Sequence, residues 1–292
     1  MDYQQTGHDI ATIAESTPKV LDALGKIFPG AQAASLSRGE SRVTDHIIAD
    51  LEKIEAHKDT LGISDEGIAE LKADVVYRHG HNENFKEVLS LAAQQIKPDA
   101  NPKAVDPGWA DNFRQHSEKA YDVEARQTWA ELLAGEINDP GTFSRHTMQV
   151  LAEMGPRDAK AFKNLCTACV VPLAADGAHL DPVYIGTSCD AGIITDRELS
   201  SLEVLGVIVR DGKNPLAVGA DDVVDVIVGD EVVSVAKASF TLIYAPAEPV
   251  LSACGVELSL LCQDAIGTLP GIGTVFERWV DGKGLMIVDR DE

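Results

Sequence analysis

Basic residues are what this chain has least of for its size. Its 25 lysines and arginines stand against 47 aspartates and glutamates, a formal net charge of −22 over 292 residues. Binding nucleic acid requires cations that displace the counterions of phosphates. Acidic residues outnumber basic ones in residues 1–105, 106–185 and 186–292 alike, so the expectation is no nucleic-acid partner. Long apolar runs are also missing. None approaches the roughly 18 residues of a membrane-spanning helix, and no cationic start followed by an apolar stretch marks a signal peptide. The five cysteines form no compact framework and fit a reducing cytoplasm better than a disulfide scaffold. No P-loop, serine nucleophile elbow or His-Glu-x-x-His is present, and no cofactor is expected.

What is there is a corner. Before it, Ala125, Trp129, Leu132, Leu133 and Ile137 recur at helical spacing, with Asp122 placed to cap the helix. Asp139-Pro140 disfavours further helix, and Gly141 permits a positive φ. Thr142 or Ser144 can then cap a second helix that carries Thr147, Met148, Leu151 and Met154 inward. Gly155-Pro156 ends that one and starts a third. Across the corner, Glu136 and Arg145 are placed for a salt bridge.

The run Trp129–Glu136, the corner Pro140–Thr147 and the segment Leu202–Ile208 resemble the signature of an uncharacterised bacterial family. Its marks are a Trp-Ala-x-Leu-Leu-Ala-Gly-Glu helix, a Pro-Gly-x-Phe-Ser-x-Arg-Thr corner and a Leu-x-x-Leu-x-x-x-Gly-hydrophobic segment. Arg145-His146-Thr147 departs locally, standing where Lys or Leu, then Arg and Thr, are usual. The resemblance implies no activity. A role in bacterial defence or mobile-element biology is suggested by the kind of family alone.

The remaining chain reads as α+β: helical N-terminal and central regions, then a C-terminal α+β module. Thr17-Pro18 opens an amphipathic helix reaching Phe28, read as core rather than as a membrane-surface helix. A long helix from Ala31 to about Thr60 carries an imperfect heptad seam, either for self-association or for packing on the next helices. Ser64 or Asp65 starts a helix reaching Tyr77, and Asn82 or Asn84 starts another bearing Phe85, Val88, Leu89, Ala92 and Ile96 inward. The domains expected are a helical region 1–97, a proline-punctuated linker 98–107, a signature bundle 108–185 and an α+β module 186–292. In the last, Asp196–Leu205 is a helix, Val207–Val209, Val223–Val228, Val232–Val235 and Phe240–Tyr244 are strands, and Gly229-Asp230 is a Gly-first hairpin turn. Pro249 begins a helix, and Val275–Val280 and Leu285–Val288 form a closing hairpin. Thr195–Ile208 followed by a hairpin resembles a winged-helix unit, but Asp196, Glu198 and Glu203 outweigh Arg197, so protein contacts are expected of it.

Four groups of residues compete as sites. Cys166-x-x-Cys169 lacks a second pair for zinc and falls on one helical face with Phe162 and Leu165, so core packing is expected and no metal. His79-Gly-His81-Asn-Glu83 reads as an interhelical surface loop. Asp176-x-x-His179-x-Asp181 reads as a turn whose aspartate serves its own backbone. Gly271-Ile-Gly273 lacks the context of a dinucleotide loop and reads as a turn. The leading expectation is a non-enzymatic protein that binds a protein partner or itself through its helices. The rival is an enzyme or ligand sensor with a site between the central bundle and the C-terminal module, drawing on Glu136, Arg145, His146, Asp176 and His179.

Overall fold

Ser64 starts the longest helix by accepting a hydrogen bond from the Gly67 amide at its hydroxyl, as an N-cap serine should. The helix, α3, then runs without a break over Asp65–Ala93. It lies in a computed structural model that describes residues 20, 24, 27–28, 41–97, 99–101, 104–186, 193–212, 216, 222–237 and 248–288. Preceding it are α1 (Ser41–Ala56) and α2 (Lys58–Leu61), and following it are α4 (Pro107–Ser117), α5 (Val123–Asn138) and α6 (Arg145–Glu153). The two helices expected over residues 64–96 are therefore one, and His79–Glu83 is helix rather than loop. A Cβ built at Gly80, inside the expected loop, meets nothing within 4 Å. Gly80→Ala should then stabilise the protein by about 0.5–1 kcal/mol, because alanine gives up less backbone entropy in a helix. A rise in melting temperature checks it, and a fall would show that the glycine is required.

The chain divides into two units, Met1–Met148 and Gln149–Glu292, so the boundary falls within α6 and the expected linker 98–107 lies inside the first unit. In that unit α3 packs on α1 and on α5. Its core joins Phe85, Val88 and Leu89 of α3, Phe113 of α4, and Trp129, Leu132, Leu133 and Ile137 of α5. Of the expected helix 17–28, only Val20, Leu24, Ile27 and Phe28 are described. Leu24 and Phe28 are buried, and Phe28 meets Phe85 edge-on at 5.2 Å, which is core packing. Residues 31–40 of the expected long helix lie outside the described residues.

The corner is built by its own sequence. Asp122 caps α5 by accepting from the Ala125 amide at 2.7 Å, and α5 stops at Asn138. Gly141 has φ +96°, a conformation that L side chains rarely adopt. Phe143 folds back onto α5 where Gly135 leaves room: a Cβ at Gly135 would stand 2.7 Å from the Phe143 ring. Trp109 of α4 donates from its indole to the Phe143 carbonyl at 2.7 Å. Ser144 caps α6 by accepting from the Thr147 amide at 3.1 Å.

In the second unit α7 (Pro156–Thr167) has its proline at the first helical position, and β1 (Cys169–Pro172) follows. Cys169 is thus the first strand residue, not a member of the Cys166 helix face, although both are buried. Then come β2 (Val183–Tyr184), α8 (Asp196–Val204), β3 (Ile208–Gly212), β4 (Val223–Val228), β5 (Glu231–Lys237), β6 (Glu248–Leu251), α9 (Ala253–Ser259), α10 (Ile272–Gly282) and β7 (Leu285–Val288). The sheet β2–β1–β4–β5–β7 is antiparallel throughout, and β3 pairs with β6 in a second sheet. Val228 opposes Glu231 across Gly229-Asp230, and only the glycine has a positive φ, the Gly-first turn expected. Both hairpin strands are also paired on their outer sides, β4 with β1 and β5 with β7. No helix among the described residues is long and apolar enough to cross a membrane.

Two strand–helix assignments reverse. Val275–Val280 is not a strand but part of α10, because Ile272, Val275, Phe276, Trp279 and Val280 are all buried at intervals of three, four and one, a helical stripe rather than an alternation. Leu285–Val288 therefore pairs with β5, and no closing hairpin forms. Pro249 lies in β6 rather than opening a helix. Ser252 is the cap of α9, accepting from Gly255 at 3.1 Å, and a proline without a donor is tolerated in a two-stranded sheet. The expected strand Phe240–Tyr244 lies outside the described residues.

Candidate functional site

Residues two apart on a helix point about 200° apart around its axis, so His79 and His81 serve opposite sides of α3. His79 Nε2 reaches the Asp50 carboxylate of α1 at 3.3 Å. His81 turns inward and is 7% exposed. Its Nε2 lies 2.9 Å from the Tyr121 hydroxyl, and its Nδ1 lies 3.5 Å from Glu118 Oε1. The tautomer that suits both contacts carries the proton on Nδ1, facing the carboxylate, and accepts a hydrogen bond from the Tyr121 hydroxyl at Nε2. One turn earlier on α3, the Tyr77 ring lies over His81 with centroids 4.0 Å apart, which also makes Tyr77 a neighbour of the Tyr121 phenol.

The segment carrying Glu118 and Tyr121 joins α4 to α5 and is clasped by α3. Asn84 donates to the Glu118 carbonyl at 3.2 Å. Arg126 Nη1 donates to the Ala120 and Tyr121 carbonyls at 3.2 and 2.9 Å, and its Nε lies 3.0 Å from Glu87 of α3. Arg114 sits 5.2 Å over the Phe85 ring and donates to Asn82 at 3.3 Å. Every part of the cluster therefore has a fixed position. Desolvation, then the neighbouring Tyr77 and Glu118, raise the Tyr121 phenol above its ordinary range. It keeps its proton at neutral pH and is a hydrogen-bond donor, not a ready phenolate.

The residues put forward from sequence are used locally instead. Glu136 is buried and accepts the Gly141 and Phe143 amides at 2.8 and 2.9 Å. Arg145 pairs with Asp106 at 2.7 Å, so the expected Glu136–Arg145 bridge is replaced: the corner's amides engage the carboxylate, and the guanidinium turns to the cap of α4. His146 is exposed on α6. In the second unit Asp176 accepts from the Ala178 amide at 3.0 Å, inside a turn with Gly177 at φ +83°, and His179 bridges Leu173. Gly271 has φ +76° and opens α10. Beside it lies a pocket of about 640 Å³ lined by Gly229, Asp230, Glu231, Thr268 and Glu277 among others. Among the described residues no group of three or more His, Cys, Asp or Glu side chains is arranged to hold a metal. Sequence reasoning named His81 but set it aside with the loop expected over His79–Glu83, because its partners lie 37 and 40 residues away.

The fold and site define an acidic α+β protein that carries a tyrosine–histidine–carboxylate network on its helical unit. Residues 75–179 match the model of a protein family of unknown function, DUF2806. Tyr77, His81, Glu118, Tyr121 and the corner Trp129–Thr147 lie within that match, and Leu202–Ile208 lies beyond it. No curated protein and no solved structure matches the chain.

Proposed function

We propose that this is a cytoplasmic, non-enzymatic protein that binds a protein partner through its first unit, with Tyr77 and Tyr121 as anchors. The observation that carries this reading is their combination of exposure and fixity. Tyr77 is 56% and Tyr121 65% exposed, while the Tyr77 ring lies against His81 and the Tyr121 hydroxyl is hydrogen-bonded to it. A rigid aromatic that loses little freedom on binding is the usual hot spot of an interface. Val76 and Val123, their near neighbours in sequence, are exposed as well. A role in bacterial defence rests on the family resemblance alone.

The test is to crosslink the tagged full chain in its own host, identify the partner and measure Kd for the purified pair. Tyr77→Ala with Tyr121→Ala should weaken binding by about tenfold or more, with the melting temperature held. An unchanged Kd in the double variant overturns the proposal. The second reading, an enzyme or ligand sensor, draws its support from the Glu118–His81–Tyr121 order, a carboxylate, an imidazole and a phenol in sequence. In that case His81→Asn would abolish a ligand response while partner binding by the tyrosines persisted.

A further inference from the structure

Four of the five cysteines, Cys166, Cys169, Cys254 and Cys262, meet in one apolar core of the second unit. They arrive from the last turn of α7, the start of β1, α9 and the 3₁₀ turn Leu260–Cys262, and all four are free thiols. They are not equivalent. Cys169 is fully buried and donates to the Leu165 carbonyl at 3.6 Å. Cys254 is buried. Cys166 is buried and hydrogen-bonded to Cys262, and Cys262 alone is partly open to solvent. Lys163, one turn before Cys166, meets Asp264, two residues after Cys262, at 3.4 Å. The same two segments are thus joined by an exposed ion pair and share one apolar cluster in which Cys262 packs with Cys166.

We propose that Cys166 and Cys262 are a reversible oxidation site, forming a disulfide between α7 and the 260–262 turn when the protein meets a hydroperoxide. Cys262 reacts first because it is the accessible sulfur. Its hydrogen bond with Cys262, then burial, pushes the Cys166 thiol far above its ordinary range. Cys166 therefore holds its proton until the second step, while Cys262, the sulfur open to solvent, gives up its own to water. The Cys262 thiolate attacks a peroxide oxygen: an S–O bond forms, the O–O bond breaks, and the departing hydroxide takes a proton from solvent. The Cys166 sulfur then attacks the Cys262 sulfur. The S–S bond forms, the S–O bond breaks, and the leaving hydroxide takes the Cys166 proton as water. Two thiols and one hydrogen peroxide give one disulfide and two waters, with two electrons passing from sulfur to oxygen.

The experiment treats the reduced full chain with hydrogen peroxide, alkylates it in denaturant and measures intact and peptide masses, with circular dichroism followed in parallel. The expected result is a loss of about 2 Da, the two thiol hydrogens, with the Cys166 and Cys262 peptides linked and the mass restored by dithiothreitol. Cys166→Ser and Cys262→Ser should each abolish the link, and Cys169→Ser should retain it. In folded Cys166→Ser protein, Cys262 should stop at a sulfenic acid, a gain of about 16 Da. A link to any other cysteine overturns the proposal, as does direct over-oxidation of Cys262 in the unsubstituted chain. So does the absence of any link while the chain remains folded.

Discussion

Trp129→Ala is expected to lower stability by about 3–5 kcal/mol, the range for deleting a buried tryptophan from a core. Trp129 is 5% exposed. Its ring meets Phe113 edge-on at 5.7 Å and lies nearly parallel to His116 at 6.0 Å, with Leu132 and Leu133 beside it on α5. Alanine would leave a cavity between α4 and α5, because neighbours anchored on separate helices collapse only partly into such a space. With a typical domain held by roughly 5–15 kcal/mol, this change should bring the first unit close to unfolding at body temperature. Chemical denaturation followed by circular dichroism measures it, and a loss under about 1 kcal/mol, the cost of a surface substitution, would show that the indole is not core.

Glu136→Gln should also destabilise the protein, although it changes almost no volume. The carboxylate is 3% exposed and accepts two amides of the corner. A carboxamide retains one acceptor oxygen and turns an N–H₂ toward the second amide, so one bond to a charged group is replaced by two donors face to face. One such bond is worth about 1.5–3 kcal/mol, and the unsatisfied amide adds to the loss. The expected outcome is a clear fall in melting temperature, with partner binding falling only as folded protein falls. A Gln variant of unchanged stability that had lost its biological readout would instead make Glu136 a chemical residue and defeat the structural account.

Local chemistry made the corner readable before any coordinates. Asp122, Asp139-Pro140-Gly141 and Gly155-Pro156 each restrict the backbone within a few residues, and the structure has the caps, the stop and the positive φ where those residues place them. The role of Glu136 was less legible, since sequence spacing offered Arg145 as a partner and could not show that the turn's own amides face the carboxylate. The segment His79–Glu83 was misread in the other direction. The penalty of Gly80 in a helix is small, and 29 residues of continuous hydrogen bonding outweigh it. Val275–Val280 was misread because a short β-branched and aromatic run suits a strand by composition, whereas its pairs of adjacent apolar residues suit a helix. The His81 network was not readable at all, because it forms only when α3 and the α4–α5 segment are packed.

The uneven burial of α3 divides one helix into two regimes of motion. Its backbone hydrogen bonds are continuous over 29 residues, yet of its buried residues only Ile68 precedes His81. Local opening costs little where few side chains would be exposed by it. The first half can therefore fray and re-form without disturbing the second, whose amides open only when the core around Phe85, Val88 and Leu89 gives way. Tyr77, its ring 4.0 Å from that of His81, stands at the anchored edge of that division, so solvent exchange along α3 should slow within the turn that begins at Tyr77.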